Sequence, residues 1–281
     1  MRAKRGFTLL ELLVTIGIVA VIAVILFPAI GAVVKAGRVT KCLSNLRTLQ
    51  MAHVLYMNDH EQRFVSVGLA HGGRTEEDYA WVNTLREYFG GDEYESVEQQ
   101  ERSRGENWRY GRHDAVLRSP LDTSPHWPRT EGGEGVPVPG TSDAYRRTSY
   151  GINNFLTTKT PWFDYERPRQ SLPDRLTRVD SPAATVHFLM MAFEGPFAGS
   201  DHTHVEQWHG GPQSAPERAA VHVQINAVRG RIDGTGEANY GFLDGHVETA
   251  EFSEVYQDEA WNRFDPLHSR TWAARTVHGG G

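Results

Sequence analysis

From Leu12 to Val34 the chain runs 23 residues without a charged side chain. As a helix rising ~1.5 Å per residue, that stretch covers about 34 Å, against about 30 Å for the hydrocarbon core of a bilayer. A helix in a soluble core seldom stays apolar on every face for so long, because one side normally meets water. The segment is read as membrane-spanning. A secretory signal peptide, cut after a small-x-small site such as Ala29-Ile30-Gly31, has a shorter apolar core of about 7–15 residues. A plain signal anchor is the other reading that length leaves open.

The flanks narrow the choice. Arg2, Lys4 and Arg5 form a short basic leader ending at Gly6, and a carboxylate, Glu11, sits close to the leader end of the apolar helix. An ionisable group in a span is costly and normally has a partner or a task, unless it lies in the headgroup zone. The whole string Arg5-Gly6-Phe7-Thr8-Leu9-Leu10-Glu11-Leu12-Leu13 resembles the class III signal of type IV pilins and type II secretion pseudopilins. The resemblance implies that a prepilin peptidase cuts after Gly6 and N-methylates Phe7. It puts Glu11 at the fifth mature position, where that family keeps a glutamate.

Cutting after Gly6 would remove the leader and expose an α-amino group on Phe7. In a filament, Glu11 of an incoming subunit would pair with the Phe7 amine of its neighbour. Away from water, that pairing relieves two isolated charges and sets the axial register between subunits. Basic residues stand on both sides of the span, with Lys35, Arg38, Lys41 and Arg47 following it, so charge gives no orientation. The resemblance implies a leader in the cytoplasm, a single-pass bacterial inner-membrane anchor, and a main domain in the periplasm or in an extracytoplasmic filament. Its implied partners are the prepilin peptidase, other pilin or pseudopilin subunits, an inner-membrane assembly platform and the lipid bilayer.

Beyond Val34, apolar or small residues recur at Val39, Cys42, Leu43, Leu46, Leu49, Ala52, Leu55 and Tyr56, a stripe at helical spacing. One helix is expected from near Thr8 to near Asn58, bent at Pro28 and Gly31. The expected organisation is a leader at 1–6, a transmembrane helix at 7–34 and an amphipathic extension at 35–60. A globular domain follows at 61–281, with loop insertions near 89–114 and 121–143. One cysteine excludes an internal disulfide, and Cys42 is read as a small helix-packing residue or a site for an intermolecular bond.

A narrower resemblance runs along the chain as islands: Cys42-Leu43-Ser44-Asn45-Leu46, Tyr56-Met57-Asn58-Asp59, Ser119-Pro120, Thr148 to Asn153, Ser181 to Val186, and Asn239 to Val247. Together they resemble a pseudopilin-like group carrying the "H-X9-DG" prepilin-processing-associated signature. Two positions depart from it. Ser119 stands where the group often has a cysteine, and Gly234 stands where the signature histidine is due ten residues before Asp244.

Thr185–Ala192 and Ala219–Val228 read as strands from their Val, Ile and Phe content. Asn239–Leu243 and His246–Phe252 flank Asp244-Gly245, a two-residue hairpin signal. The fold class is thus α+β, with the long helix packed on an antiparallel sheet. Asp201, His202, His204, Glu206 and His209 have the donor types of a transition-metal site, with His202 and His204 on one face of a strand, but no compact ligand motif. Trp208, Trp261 and Trp272 read as packing residues or as aromatic faces for a glycan or another protein.

A formal charge of −6 without a long Lys or Arg run argues against nucleic acid. No Walker loop, G-x-S-x-G or H-E-x-x-H motif supports catalysis, so no catalytic residue, metal or cofactor is assigned. The leading reading is a structural pilin-like subunit. A membrane-tethered binding module for polysaccharide or protein is the alternative, and a tethered metalloenzyme is the third.

Overall fold

The computed structural model describes residues 8–68, 80–90, 115–129, 132–141, 144–156 and 173–269. The expected insertion near 89–114 falls mostly outside these residues. One helix, α1, spans Leu9–Asp59, and positions 28–31 remain helical within it. Three short helices and four strands make up the rest of the regular structure used below. They are α2 (Trp81–Thr84), β1 (Tyr150–Ile152), β2 (Val186–Met190), α3 (Ala215–Ala220), β3 (Glu237–Phe242), β4 (Val247–Glu251) and α4 (Phe252–Val255). The strands form one antiparallel sheet in the order β1-β2-β3-β4.

The outer half of α1 buries one face on this sheet. Cys42, Leu46, Leu49 and Ala52 are buried against Tyr150, Ile152, Phe188 and Met190, with Trp81 of α2 in the same cluster. The Cys42 thiol lies 3.6 Å from Met190 Sδ and accepts from the Tyr150 hydroxyl at 3.5 Å. A thiol held there is a packing residue, which answers the intermolecular-bond reading. On the other face of the sheet, Val186, Leu189, Tyr240 and Phe242 pack with Trp208, Phe252, Tyr256 and Phe264. β2 is buried along its whole length because it pairs on both edges and is covered on both faces.

A register shift between Val186 and Phe188 breaks the strand's alternation, as an inserted residue does. His187 and Phe188 both turn toward α1 there: His187 Nδ1 donates to Gln50 Oε1 at 3.1 Å, and both rings pack on His53. The approach of helix and sheet is closest at Gly241. A Cβ on that residue would lie 2.6 Å from Gln50 Nε2 and 3.1 Å from Gln50 Cγ. Glycine is what lets α1 sit down on β3.

Two expectations are corrected. Ala219–Val228 is not a strand. Ser214 and Pro216 open α3, in keeping with proline's fitness for a first helical turn, and the chain then turns with a single bridge from Val223 to Met191. The Val and Ile residues there answer to burial, with Val223 and Ile225 both in the core, and not to a ladder. The Asp244-Gly245 hairpin also differs in size. Phe242 N–H donates to His246 O, so the loop has three residues, and Gly245 takes the positive φ of +98° as its last member. That is a turn closed by a bulge glycine.

The segment near 121–143 lacks strands among its described residues, but it does not float. Trp127 and Val138 are buried, and Asp122 is tied to a fully buried Arg146. Arg146 Nε donates to Asp122 Oδ2 at 2.7 Å; its Nη atoms donate to the carbonyls of Ala192, Ala198 and Met191. The Ser149 hydroxyl donates to the same carboxylate oxygen at 2.6 Å. This guanidinium fastens three loops to the end of β2.

Arg146→Ala is expected to cost about 3–5 kcal/mol, because it leaves the Asp122 charge buried and unpaired. Denaturant unfolding of the full chain in detergent measures it. By the same assay Gly241→Val is expected to cost about 1–3 kcal/mol through overpacking, and less in a Gln50→Ala background.

Candidate assembly site

A helix begins with four backbone N–H groups that lack intrahelical partners. Thr8 caps α1 from an extended conformation (φ −85°, ψ 152°), and its Oγ1 accepts from the Glu11 N–H at 3.2 Å. Glu11 reaches back: its Oε2 accepts from the Thr8 N–H at 2.9 Å and from the Thr8 hydroxyl at 2.8 Å. The two residues form a reciprocal capping box, and the negative charge sits at the positive end of the helix dipole. The T-x-x-E pattern before an apolar run is the sequence signal of such a box, so Glu11 has a local task besides any contact with a neighbour.

Both hydrogen bonds fall on one carboxylate oxygen. Among the described residues Glu11 Oε1 has no partner, so the group can cap its own helix and still accept from a second donor. Gly6 and Phe7 lie outside the described residues. From Leu9 to Val34 the large apolar side chains are exposed, Leu9 at 87% and Val33 at 71%. Nothing in the apolar window is buried by the rest of the chain. A surface this large and apolar needs lipid or other protein around it.

The histidine segment is arranged otherwise than a ligand set. His202 Nδ1 pairs with Asp201 Oδ1 at 2.9 Å, and His204 Nδ1 pairs with Glu206 Oε1 at 3.0 Å. Asn154 Nδ2 donates to Glu206 Oε2 at 2.7 Å, and the exposed His209 bonds back to the Glu206 carbonyl. The segment is not a strand, since His204 precedes a turn of 3₁₀ helix at Val205–Gln207, although the His202 and His204 rings still lie 5.0 Å apart. Among the described residues no group of three or more His, Cys, Asp or Glu converges as a metal site. Trp208 is buried and donates from Nε1 to His222 Nδ1 at 3.1 Å, so it offers no face to a glycan; Trp272 lies outside the described residues.

Residues 1–27 match a family model described as the prokaryotic N-terminal methylation motif. No curated protein and no solved structure matches the chain. The motif supports a type IV pilin-like, processed N-terminus and a structural subunit in preference to an enzyme. With the exposed apolar helix it also supports membrane anchoring.

Three imidazoles in the domain are held neutral. Burial pushes His53 down to about 3 and holds His187, beside it, well below the ordinary histidine value. Burial, then the nearby His204, pushes His222 down to about 3. Unfolded, each would titrate near 6.5, so below that pH the unfolded chain takes up protons that the folded chain refuses. Stability is therefore expected to hold above about pH 6.5 and to fall as pH drops from there toward about 3. His53→Gln should flatten that slope by up to about 1.4 kcal/mol per pH unit, read from urea midpoints at pH 7 and pH 5.

Proposed function

We propose that this chain is a pseudopilin-like structural subunit of a type II secretion or type IV pilus-like filament. It enters the inner membrane through α1, is cut after Gly6 by a prepilin peptidase and N-methylated at Phe7. It is then drawn by an assembly platform into a filament of like subunits. The observation that carries this reading is the methylation motif of residues 1–27 placed directly on a capped, wholly exposed apolar helix. A processed amine and a carboxylate four residues on are the two charges such a helix would need to join copies in register.

Glu11 is the assembly residue in this reading. Its unshared Oε1 is open to the methylated amine of a neighbour while Oε2 keeps the cap. Packing of apolar helices and this one polar contact then favour association within the bilayer. Membership of the H-X9-DG group is part of the same proposal. It is supported by islands that fall on ordered elements: Thr148 to Asn153 runs through β1, and Asn239 to Val247 forms the β3–β4 hairpin.

The mature protein isolated from cells is expected to lack residues 1–6 and to carry one added methyl group by intact mass. A protein still beginning at Met1 would defeat the proposal. Glu11→Ala should be inserted and cleaved yet fail to co-isolate with its filament or secretion complex. Thr8→Ala, which removes the cap and spares the charge, should still be recruited. Equal recruitment of both variants would leave Glu11 with a capping role alone.

A further inference from the structure

From Leu12 to Asn58 the chain contains no Asp or Glu, yet Lys35, Arg38 and Lys41 follow the apolar span within seven residues. All three side chains are exposed on α1, and none forms an ion pair among the described residues. The domain first touches the helix at this level: Asn239 Nδ2 donates to the Val39 carbonyl at 3.4 Å, and Cys42 is the first fully buried residue of α1. At 100° per residue the three cations fall within about 120° of the helix circumference, along one side of α1 from the end of the span to the level of the first domain contact.

Helix geometry puts Lys35 about 1.5 Å, Arg38 about 6 Å and Lys41 about 10 Å beyond Val34 along the axis. A headgroup layer is about 5–7 Å deep on each side of the hydrocarbon, and Lys and Arg stems can bend several ångströms toward it. A guanidinium also matches a phosphate in shape, with two parallel N–H donors. Taking the membrane-anchored reading as given, we propose that Lys35, Arg38 and Lys41 form a partial collar, along one side of α1, that binds anionic phospholipid headgroups. The collar draws acidic lipid to that side of the helix where it leaves the bilayer and holds the span at a fixed depth. It stands on continuity with the span and on one-sided charge, and it applies to whichever leaflet the helix exits.

The full chain, reconstituted with trace spin-labelled phosphatidylglycerol or phosphatidylcholine in phosphatidylcholine vesicles, tests this. Electron spin resonance reports the fraction of each lipid slowed by the protein. The wild type is expected to prefer phosphatidylglycerol by about fivefold or more, since each cation near a surface favours acidic lipid. That preference should fall toward unity in about 1 M salt, where the screening length is ~3 Å. A Lys35→Gln, Arg38→Gln, Lys41→Gln variant, which keeps helix propensity, should lose it.

Slowed lipid with no preference in the wild type overturns the collar while leaving the anchor intact. Preference that persists in the triple variant also overturns it and passes the effect to Arg2, Lys4 and Arg5. Salt-sensitive self-association without lipid preference would assign the collar to a second copy and overturn the lipid assignment. Absence of any slowed lipid would show that α1 is not in the bilayer at all, a failure of the anchor reading itself.

Discussion

One helix has to satisfy two solvents. Its first half carries apolar side chains on all sides and suits hydrocarbon; its second half carries them on one face and suits the sheet. Everything else follows from the junction. The second half must come close enough to the strands to exclude water. Gly241 permits that, and Gln50, His53 and His187 fill the space at the contact with polar groups that are only partly satisfied. Buried polar atoms left without partners cost stability. The two buried imidazoles among them, His53 and His187, also make the helix–sheet contact sensitive to acid.

The sheet is small, and its loops are not spare. Arg146 reaches three carbonyls and a carboxylate from a fully buried position, so segments poor in regular structure are held as firmly as the strands they join. This explains how a chain with one cysteine keeps long connections packed. Ordered side-chain hydrogen bonds, and not a covalent link, close them against β2.

Periodicity made much of this legible. The stripe from Val39 to Tyr56 predicted the extension of α1, and the Cys42, Leu46, Leu49 and Ala52 face is the one buried. β2, β3 and β4 were readable from β-branched and aromatic content around a glycine turn. In the Ala219–Val228 stretch Val and Ile mark burial and not a strand, and the helix signal at Ser214 and Pro216 lies just upstream. β1 was not readable as a strand, since three residues rich in Tyr and Gly give no period. At the candidate site, the register of Gly6, Phe7 and Glu11 is legible as part of the methylation motif. The local bond of Glu11 to Thr8 is equally encoded, as the T-x-x-E of a capping box. The pairing of His202 with Asp201 and His204 with Glu206 depends on loop geometry that no spacing rule encodes.

The helical path from Leu9 to Asp59 has a mechanical meaning. Between the span and the first buried contact there is no coil to take up slack, so a pull or push along the axis is delivered straight to the sheet. At 100° per residue, adding or removing one residue there would also swing the head around the rod by more than a quarter turn. The facing of the domain relative to the membrane segment is thus written into the number of residues between Val34 and Cys42.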